Sequence, residues 1–164
     1  MLKKICNFFS SFIFIILLLI ALVMFVPNIL GYKSFAVISG SMEPNIHVGS
    51  IVYAKEADFN DLKVDDIISY QLSSDTMVTH RIVSIDNEKQ TVVTKGDAND
   101  VEDSASVSKE NIIGKVAFSI PLLGYISLNV KTPLGILVIC GIVAVLILLN
   151  FLPDVFEKED EKED

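Results

Sequence analysis

The chain has 164 residues, of which 51% are hydrophobic and 21% charged, and its formal net charge is −8. Together with a mean hydropathy of +0.54, this composition is too apolar for an ordinary small soluble domain, so it indicates membrane segments joined to a soluble domain. The acidic balance excludes a basic surface for nucleic acid, and the two cysteines, Cys6 and Cys140, exclude a disulfide framework in the soluble part.

The first predicted element is a membrane anchor. No charged residue occurs from residue 5 to residue 32, and Lys3 and Lys4 precede this run. A hydrocarbon core of roughly 30 Å needs about 20 helical residues, which the run supplies. No small-residue cleavage site closes it, so we predict a retained transmembrane anchor at residues 8–30 behind a cytoplasmic N-terminus at residues 1–7.

Residues 31–131 form the segment that can close a single hydrophobic core. Its apolar residues recur with a period of two more often than 3.6, and β-branched residues fill the short runs, which is typical of strands. We therefore predict a mostly β domain. Its acidic stretch at residues 96–110 is predicted to be an irregular loop, and the predicted strands are residues 35–39, 50–54, 66–71, 77–85, 91–94 and 112–118.

A second run without charge predicts a transmembrane helix at residues 132–153, followed by an acidic cytoplasmic tail at residues 154–164. Lysines are slightly more frequent at the outer ends of the two helices than on the loop side. This bias slightly favours a multi-pass protein with both termini in the cytoplasm and the β domain on the extracytoplasmic side.

The serine-rich sequence SGSMEP at residues 39–44 follows the first anchor closely. A serine beside glycine, with proline soon after, sits on a constrained backbone that can present its hydroxyl in a fixed direction. An ordinary turn before a strand has the same composition, so this pattern alone leaves both interpretations open.

His80 lies inside the strand predicted at residues 77–85, where it shares a face with Val78 and Ile82. An imidazole is a suitable base for a serine hydroxyl at neutral pH. A structural histidine packed in the core would give the same pattern.

The sequence KGDANDVED at residues 95–103 brings four acidic groups together. A hydrated surface loop accounts for these acidic residues as simply as a functional site does. We predict no metal site here, because the glycine precedes the acidic residues and no glutamate closes a calcium-binding loop pattern.

Together with the membrane layout, these motifs resemble the type I signal peptidases, in the branch that has histidine in place of the general-base lysine. This branch is shared by archaea, some Gram-positive bacteria and the endoplasmic reticulum. The resemblance covers about residues 34–124. It rests on the SGSMEP box, on the pair His80-Arg81, and on Gly96-Asp97, which begins the third box of the family.

The resemblance implies a signal peptidase-like β catalytic domain flanked by N- and C-terminal transmembrane helices. It implies Ser41 as nucleophile and His80 as base. Asp103 is the preferred third member and Asp97 supports the site, but Ala98 follows Asp97 where the family often has asparagine. The triad partner among Asp97, Asp100 and Asp103 therefore stays open.

The resemblance further implies an oxyanion hole formed by the Ser39 hydroxyl and the backbone N–H of Ser41. Ile38, Met42 and Pro44 are candidate substrate-binding residues, and a plain core role explains them equally well. The implied substrates are secretory preproteins, cut beside the lipid bilayer on the extracytoplasmic side without a metal or cofactor. Whether further membrane subunits take part stays open.

Two other interpretations remain. A Ser-Lys protease would use Lys95 or Lys55 as its base. A noncatalytic membrane-anchored β domain would scaffold secretory partners and would not depend on Ser41.

Overall fold

The computed structural model describes the backbone of residues 2–74 and 76–163, and the side chains of residues 3–74 and 76–151. The chain divides into two units, a helical unit made of Met1–Phe25 with Asn129–Asp164 and a β unit of Val26–Leu128.

The described residues form three α-helices, α1 at Leu2–Ile29, α2 at Leu123–Asn129 and α3 at Pro133–Glu163, and two short 3-10 helices at Phe59–Asp61 and Lys109–Asn111. Two stretches, Lys3–Ile29 of α1 and Pro133–Phe151 of α3, are long and apolar enough to cross a membrane by length and composition. Within the helical unit, Asn150 Nδ2 donates a hydrogen bond of 2.8 Å to Ser10 Oγ. Such a bond gives two polar side chains on apolar helices a hydrogen-bond partner.

The β unit is an antiparallel sheet of seven strands among the described residues, in the order β1-β2-β7-β3-β4-β5-β6. The strands are β1 Tyr32–Ala36, β2 Ile51–Lys55, β3 Ile67–Ser73, β4 Thr76–Asp86, β5 Thr91–Lys95, β6 Val107–Ser108 and β7 Ile112–Ile120. The predicted fold class, a mostly β domain flanked by N- and C-terminal apolar helices, is confirmed.

The strand boundaries differ from the sequence prediction mainly at the first strand, which lies at Tyr32–Ala36 rather than residues 35–39. Val37 still exchanges backbone hydrogen bonds with the stretch before β2, donating to Ser50 and accepting from Gly49. The chain leaves the sheet after Val37 and turns into the SGSMEP box. The two-residue strand β6 and the helix α2 were also not predicted, because both are too short to show a period.

Two hydrophobic clusters fill the β unit. The larger surrounds Ile68 and Ile82, which are fully buried on β3 and β4, and the smaller contains Met42, Ile46 and Val52. Each fully buried aliphatic side chain contributes roughly 1.5–3 kcal/mol. The smaller cluster holds the turn that carries Ser41 against the sheet, because Met42 follows Ser41 directly and is 2% exposed.

Candidate active site

Ser41 lies on a turn that two backbone hydrogen bonds hold together. Glu43 N–H donates to the Gly40 carbonyl, and Ile46 N–H donates to the Met42 carbonyl. With Met42 and Ile46 buried on the inner side, the turn leaves Ser41 half-buried at its outer edge. The Ser41 Oγ lies 3.4 Å from the Ser39 Oγ. The box therefore presents two hydroxyls side by side.

His80 lies on β4 opposite Ile68 of β3 and is 8% exposed. Its Nδ1 is 2.6 Å from Asp103 Oδ2. The ring of Tyr70, two residues beyond Ile68 on β3, meets the imidazole edge-on at a centroid distance of 6.5 Å. These contacts hold the imidazole so that Nδ1 is engaged and Nε2 is left for another group.

Asp103 belongs to the loop between β5 and β6, which folds back on β5 because Asp103 N–H donates to the Thr94 carbonyl. Burial by itself would raise the pKa of Asp103. Hydrogen bonds from His80, Thr94 and Tyr70 outweigh burial and hold that pKa below its ordinary value. The carboxylate is thus kept ionised beside the imidazole.

Asp97 takes a different partner. Arg81 donates from Nε to Asp97 Oδ1 at 2.8 Å and from Nη2 to Asp97 Oδ2 at 2.7 Å, and Asn45 Nδ2 donates to Oδ2 at 2.7 Å. The Arg81 hydrogen bonds lower the pKa of Asp97, and the same contact raises the pKa of Arg81. Asn45 belongs to the turn of residues 40–46 that carries Ser41, the serine turn. Asp97 therefore links the serine turn to β4.

Gly96 packs closely against both the turn that carries Ser41 and the His80 ring. A methyl group at Gly96 would be 2.6 Å from the Ser41 carbonyl oxygen and 3.0 Å from His80 Nε2. That carbonyl also accepts a hydrogen bond of 2.9 Å from Ala98 N–H. Within the described residues, Ser41 Oγ pairs with Ser39 Oγ and makes no hydrogen bond to His80. Proton transfer from Ser41 to Nε2 would need a hydrogen bond that this arrangement does not contain.

Ser41 and His80 line the same cavity, which has a volume of about 280 Å³. Of the predicted substrate-binding residues, Ile38 and Met42 line it; Ile38 is 75% exposed, whereas Met42 is buried. Pro44 is exposed and lies outside the lining. The remaining lining residues are Phe35, Ala36, Val37, Ser39, Ile46, Met77, Val78 and Thr79.

The other candidate bases and acids lie elsewhere. Lys95 is opposite Arg81 on β5, on the sheet face away from His80. The Nζ of Lys55 is 5.5 Å from the centroid of the Tyr32 ring, and neither lysine lines the cavity. Asp100 is exposed on its loop. Of the three aspartates that the sequence left open, Asp103 is the one that contacts the His80 imidazole.

Three residues that contact the site were missed from the sequence: Asn45, Tyr70 and Thr94. Thr94 offered a signal, because a hydroxyl at a buried position of the alternating run TVVTK has to find a partner. Among the described residues, no group of three or more His, Cys, Asp or Glu side chains is arranged to hold a metal ion.

No protein-family model matches the chain. Signal peptidase I W of Bacillus subtilis (strain 168) is 38% identical, and the match covers 67% of this chain and 63% of the relative, which is less than two thirds of its length. The signal peptidase complex catalytic subunit SEC11 of Candida tropicalis is 33% identical, with 66% of this chain and 74% of the relative covered. The same subunit of Candida albicans (strain WO-1) is 31% identical, with 65% and 72% covered.

Proposed function

Since the chain belongs to the type I signal peptidase family of serine proteases, we propose that it removes signal peptides from secreted preproteins by acyl transfer, with Ser41 as nucleophile. One observation carries the proposal: Ser41 and His80 line one cavity, and His80 is held on its other side by the ionised carboxylate of Asp103. Nucleophile, base and orienting acid are the parts that this chemistry needs.

The reaction follows from the two nitrogens of His80. Asp103 Oδ2 accepts a hydrogen bond from the Nδ1–H group, which leaves Nε2 with its lone pair as the base. Ser41 Oγ attacks the scissile carbonyl while Nε2 takes its proton, and the imidazolium then returns that proton to the leaving amine. Water hydrolyses the resulting acyl-enzyme by the same steps in reverse, and Asp103 stabilises the imidazolium each time it forms.

The negative charge on the carbonyl oxygen is stabilised by the Ser39 hydroxyl and the Ser41 backbone N–H. Within the described part of the chain, the Ser41 N–H donates to no acceptor, and the Ser39 hydroxyl is exposed beside Ser41. The Ser41 N–H is thus free to bind the oxyanion, and the Ser39 hydroxyl, which lies 3.4 Å from Ser41 Oγ, can turn toward the oxyanion from the same turn.

The cavity suits an extended peptide. On one side of it lies the end of β1, an outer strand of the sheet; on the other lies the first part of β4, residues 76–80, whose pairing with β5 begins only at Arg81. Unpaired strand edges bind extended peptides through main-chain hydrogen bonds. Ile38 and Met42 then form walls for small substrate side chains, and Pro44 stays a predicted contact outside the cavity.

The membrane arrangement is part of the same proposal. Residues 8–30 and 132–153 cross the bilayer, residues 1–7 and 154–164 lie in the cytoplasm, and the β domain at residues 31–131 is extracytoplasmic. Ser41 follows the end of α1 at Ile29 by a segment that reaches at most roughly 40 Å when fully extended. This tether keeps the nucleophile near the bilayer surface, where the apolar part of a signal peptide ends.

The test is cleavage of a model preprotein by the purified full-length chain in liposomes, with mapping of the cut site. Ser41→Ala and His80→Ala should abolish processing. The matched controls are Ser84→Ala, an exposed serine on β4, and His47→Gln, which changes the only other histidine of the chain. Both controls should cut at the same bond as the unmodified chain. Normal processing by the Ser41 or His80 variant would contradict the mechanism.

The assay also separates the other interpretations. A Ser-Lys protease would keep activity in His80→Ala and lose it in Lys95→Met or Lys55→Met. A scaffolding role would survive Ser41→Ala in cells. The yeast relatives are named as catalytic subunits of a complex, so the assay is repeated in native membranes to detect a requirement for further subunits.

A further inference from the structure

Two buried hydroxyl groups lie behind the candidate active site. Thr94 on β5 is fully buried and Tyr70 on β3 is 3% exposed. The two strands flank β4, and Thr94 is opposite Ile82, so its side chain lies on the same sheet face as His80. A buried hydroxyl without a partner is costly, and here the partner of both groups is one carboxylate.

The contacts converge on a single atom. Thr94 Oγ1 is 2.6 Å and the Tyr70 hydroxyl 3.2 Å from Asp103 Oδ2. The Thr94 carbonyl also accepts a hydrogen bond of 2.8 Å from the Asp103 N–H. It thus holds Asp103 by both main chain and side chain. The shorter distance assigns the single Thr94 hydroxyl proton to the carboxylate rather than to Tyr70, which is 3.2 Å away.

The same oxygen, Oδ2, accepts the hydrogen bond from His80 Nδ1. Asp103 lies on an irregular loop, and its carboxylate can rotate about the bond to Cβ unless other groups hold it. Burial raises the pKa of Tyr70, so this hydroxyl keeps its proton and remains a donor. With both hydroxyls donating to Oδ2, rotation would break three hydrogen bonds at once.

We propose that Thr94 is a positioning residue, whose hydroxyl holds Asp103 Oδ2 against His80 Nδ1. The Tyr70 hydroxyl adds a second, longer hydrogen bond to the same oxygen. This inference rests on the proposed function, in which the Asp103–His80 contact leaves Nε2 free as the base. Thr94 touches neither the cavity nor the nucleophile, so it acts only through Asp103.

The first test compares two variants of Thr94. Thr94→Val keeps the shape and removes the hydroxyl, whereas Thr94→Ser keeps the hydroxyl and removes a methyl group. Loss of a hydrogen bond to a charged group should lower kcat by about tenfold or more in Thr94→Val, with KM changed by less than about twofold. Thr94→Ser should retain kcat within about threefold. A packing role gives the opposite order, with Thr94→Val the more active, and that order would overturn the proposal.

Thr91→Val, at the start of the same strand, is the matched control and should behave as the unmodified chain. Thermal unfolding of each variant in detergent checks that it is folded. If the unmodified chain cleaves the preprotein and His80→Ala does not, but Thr94→Val is as active as the unmodified chain, the positioning role fails while the proposed function stands. If the unmodified chain cleaves nothing, the proposed function fails.

A second measurement does not depend on activity. The chain has only two histidines, so ¹⁵N-histidine labelling gives signals from two imidazole rings, and His47→Gln assigns each signal to its ring. The His80 Nδ1 proton should give a sharp, strongly hydrogen-bonded resonance in the unmodified chain and in Thr94→Ser. In Thr94→Val it should broaden or move upfield. An unchanged resonance in folded Thr94→Val would refute the positioning role.

Discussion

Gly96 gives the most direct test of how closely the serine turn and His80 must approach. A methyl group added there would be 2.6 Å from the Ser41 carbonyl oxygen, about 0.8 Å inside the ordinary contact distance of 3.4 Å, and 3.0 Å from His80 Nε2. The first obstacle is backbone and the second is a buried ring, so neither can move aside as the end of a flexible side chain would.

The expected magnitude follows from that overlap. To admit the methyl group, the loop after β5 must move away from the serine turn by most of an ångström, which weakens the 2.9 Å hydrogen bond from Ala98 N–H to Ser41. Overpacking of this kind costs about 1–3 kcal/mol of stability. A misplacement of about 1 Å in a catalytic constellation costs on the order of a hundredfold in rate. We therefore expect Gly96→Ala to lower kcat about a hundredfold while the protein remains folded.

The assay is cleavage of the model preprotein, with thermal unfolding in detergent measured in parallel. Gly141→Ala is the matched control, because a methyl group at Gly141 meets no atom within 4 Å, and it should leave both measurements unchanged. If Gly96→Ala retained more than about a third of the unmodified kcat, the close approach of the turn and the imidazole would not matter to the reaction, and the argument from this geometry would be refuted.

Three further predictions follow. Asp97→Asn should lower stability by about 2 kcal/mol, seen as a lower unfolding temperature, because it leaves the partly buried Arg81 guanidinium without its carboxylate. Ser39→Ala should slow preprotein cleavage about a hundredfold without abolishing it, because it removes one of the two proposed oxyanion donors; full activity would exclude Ser39 from the oxyanion hole. The folded state lowers the pKa of both Asp97 and Asp103, so their stabilisation is complete above the unfolded pKa of about 4 and is lost as pH falls through the folded values. Unfolding temperatures measured from pH 7 to pH 2 should therefore fall at the acidic end, and less steeply in Asp97→Asn.

The sheet could be predicted from the sequence because its signals are local. Alternating β-branched residues placed β2, β4 and β5 within one or two residues of their observed bounds. The irregular stretch at residues 96–110 was predicted only as a loop, since its shape comes from contacts distant in sequence. Ala98 N–H reaches the Ser41 carbonyl and Asp103 N–H reaches the Thr94 carbonyl, and no local pattern encodes these bonds.

In the candidate site too, residues that belong to local motifs could be predicted, and residues placed by distant contacts could not. Ser41 and His80 carry recognisable motifs, and the structure brings both to one cavity. The choice among Asp97, Asp100 and Asp103 could not be made from the sequence, because three carboxylates on one loop differ only in where the fold places them. Asn45, Tyr70 and Thr94 belong to no motif.

Asp97 and Asp103 contact different partners because of the order of two residues on β4. His80 and Arg81 are adjacent in a strand, so their side chains leave on opposite faces of the sheet. The returning loop supplies one carboxylate to each, Asp103 to the imidazole and Asp97 to the guanidinium. Arg81 is charged at all times, so the charge of Asp97 is permanently neutralised and serves to bind the serine turn through Asn45. Among the described residues, Asp103 accepts side-chain hydrogen bonds only from His80 and from the neutral hydroxyls of Tyr70 and Thr94. Its charge is therefore the one available to stabilise the imidazolium of the proposed mechanism.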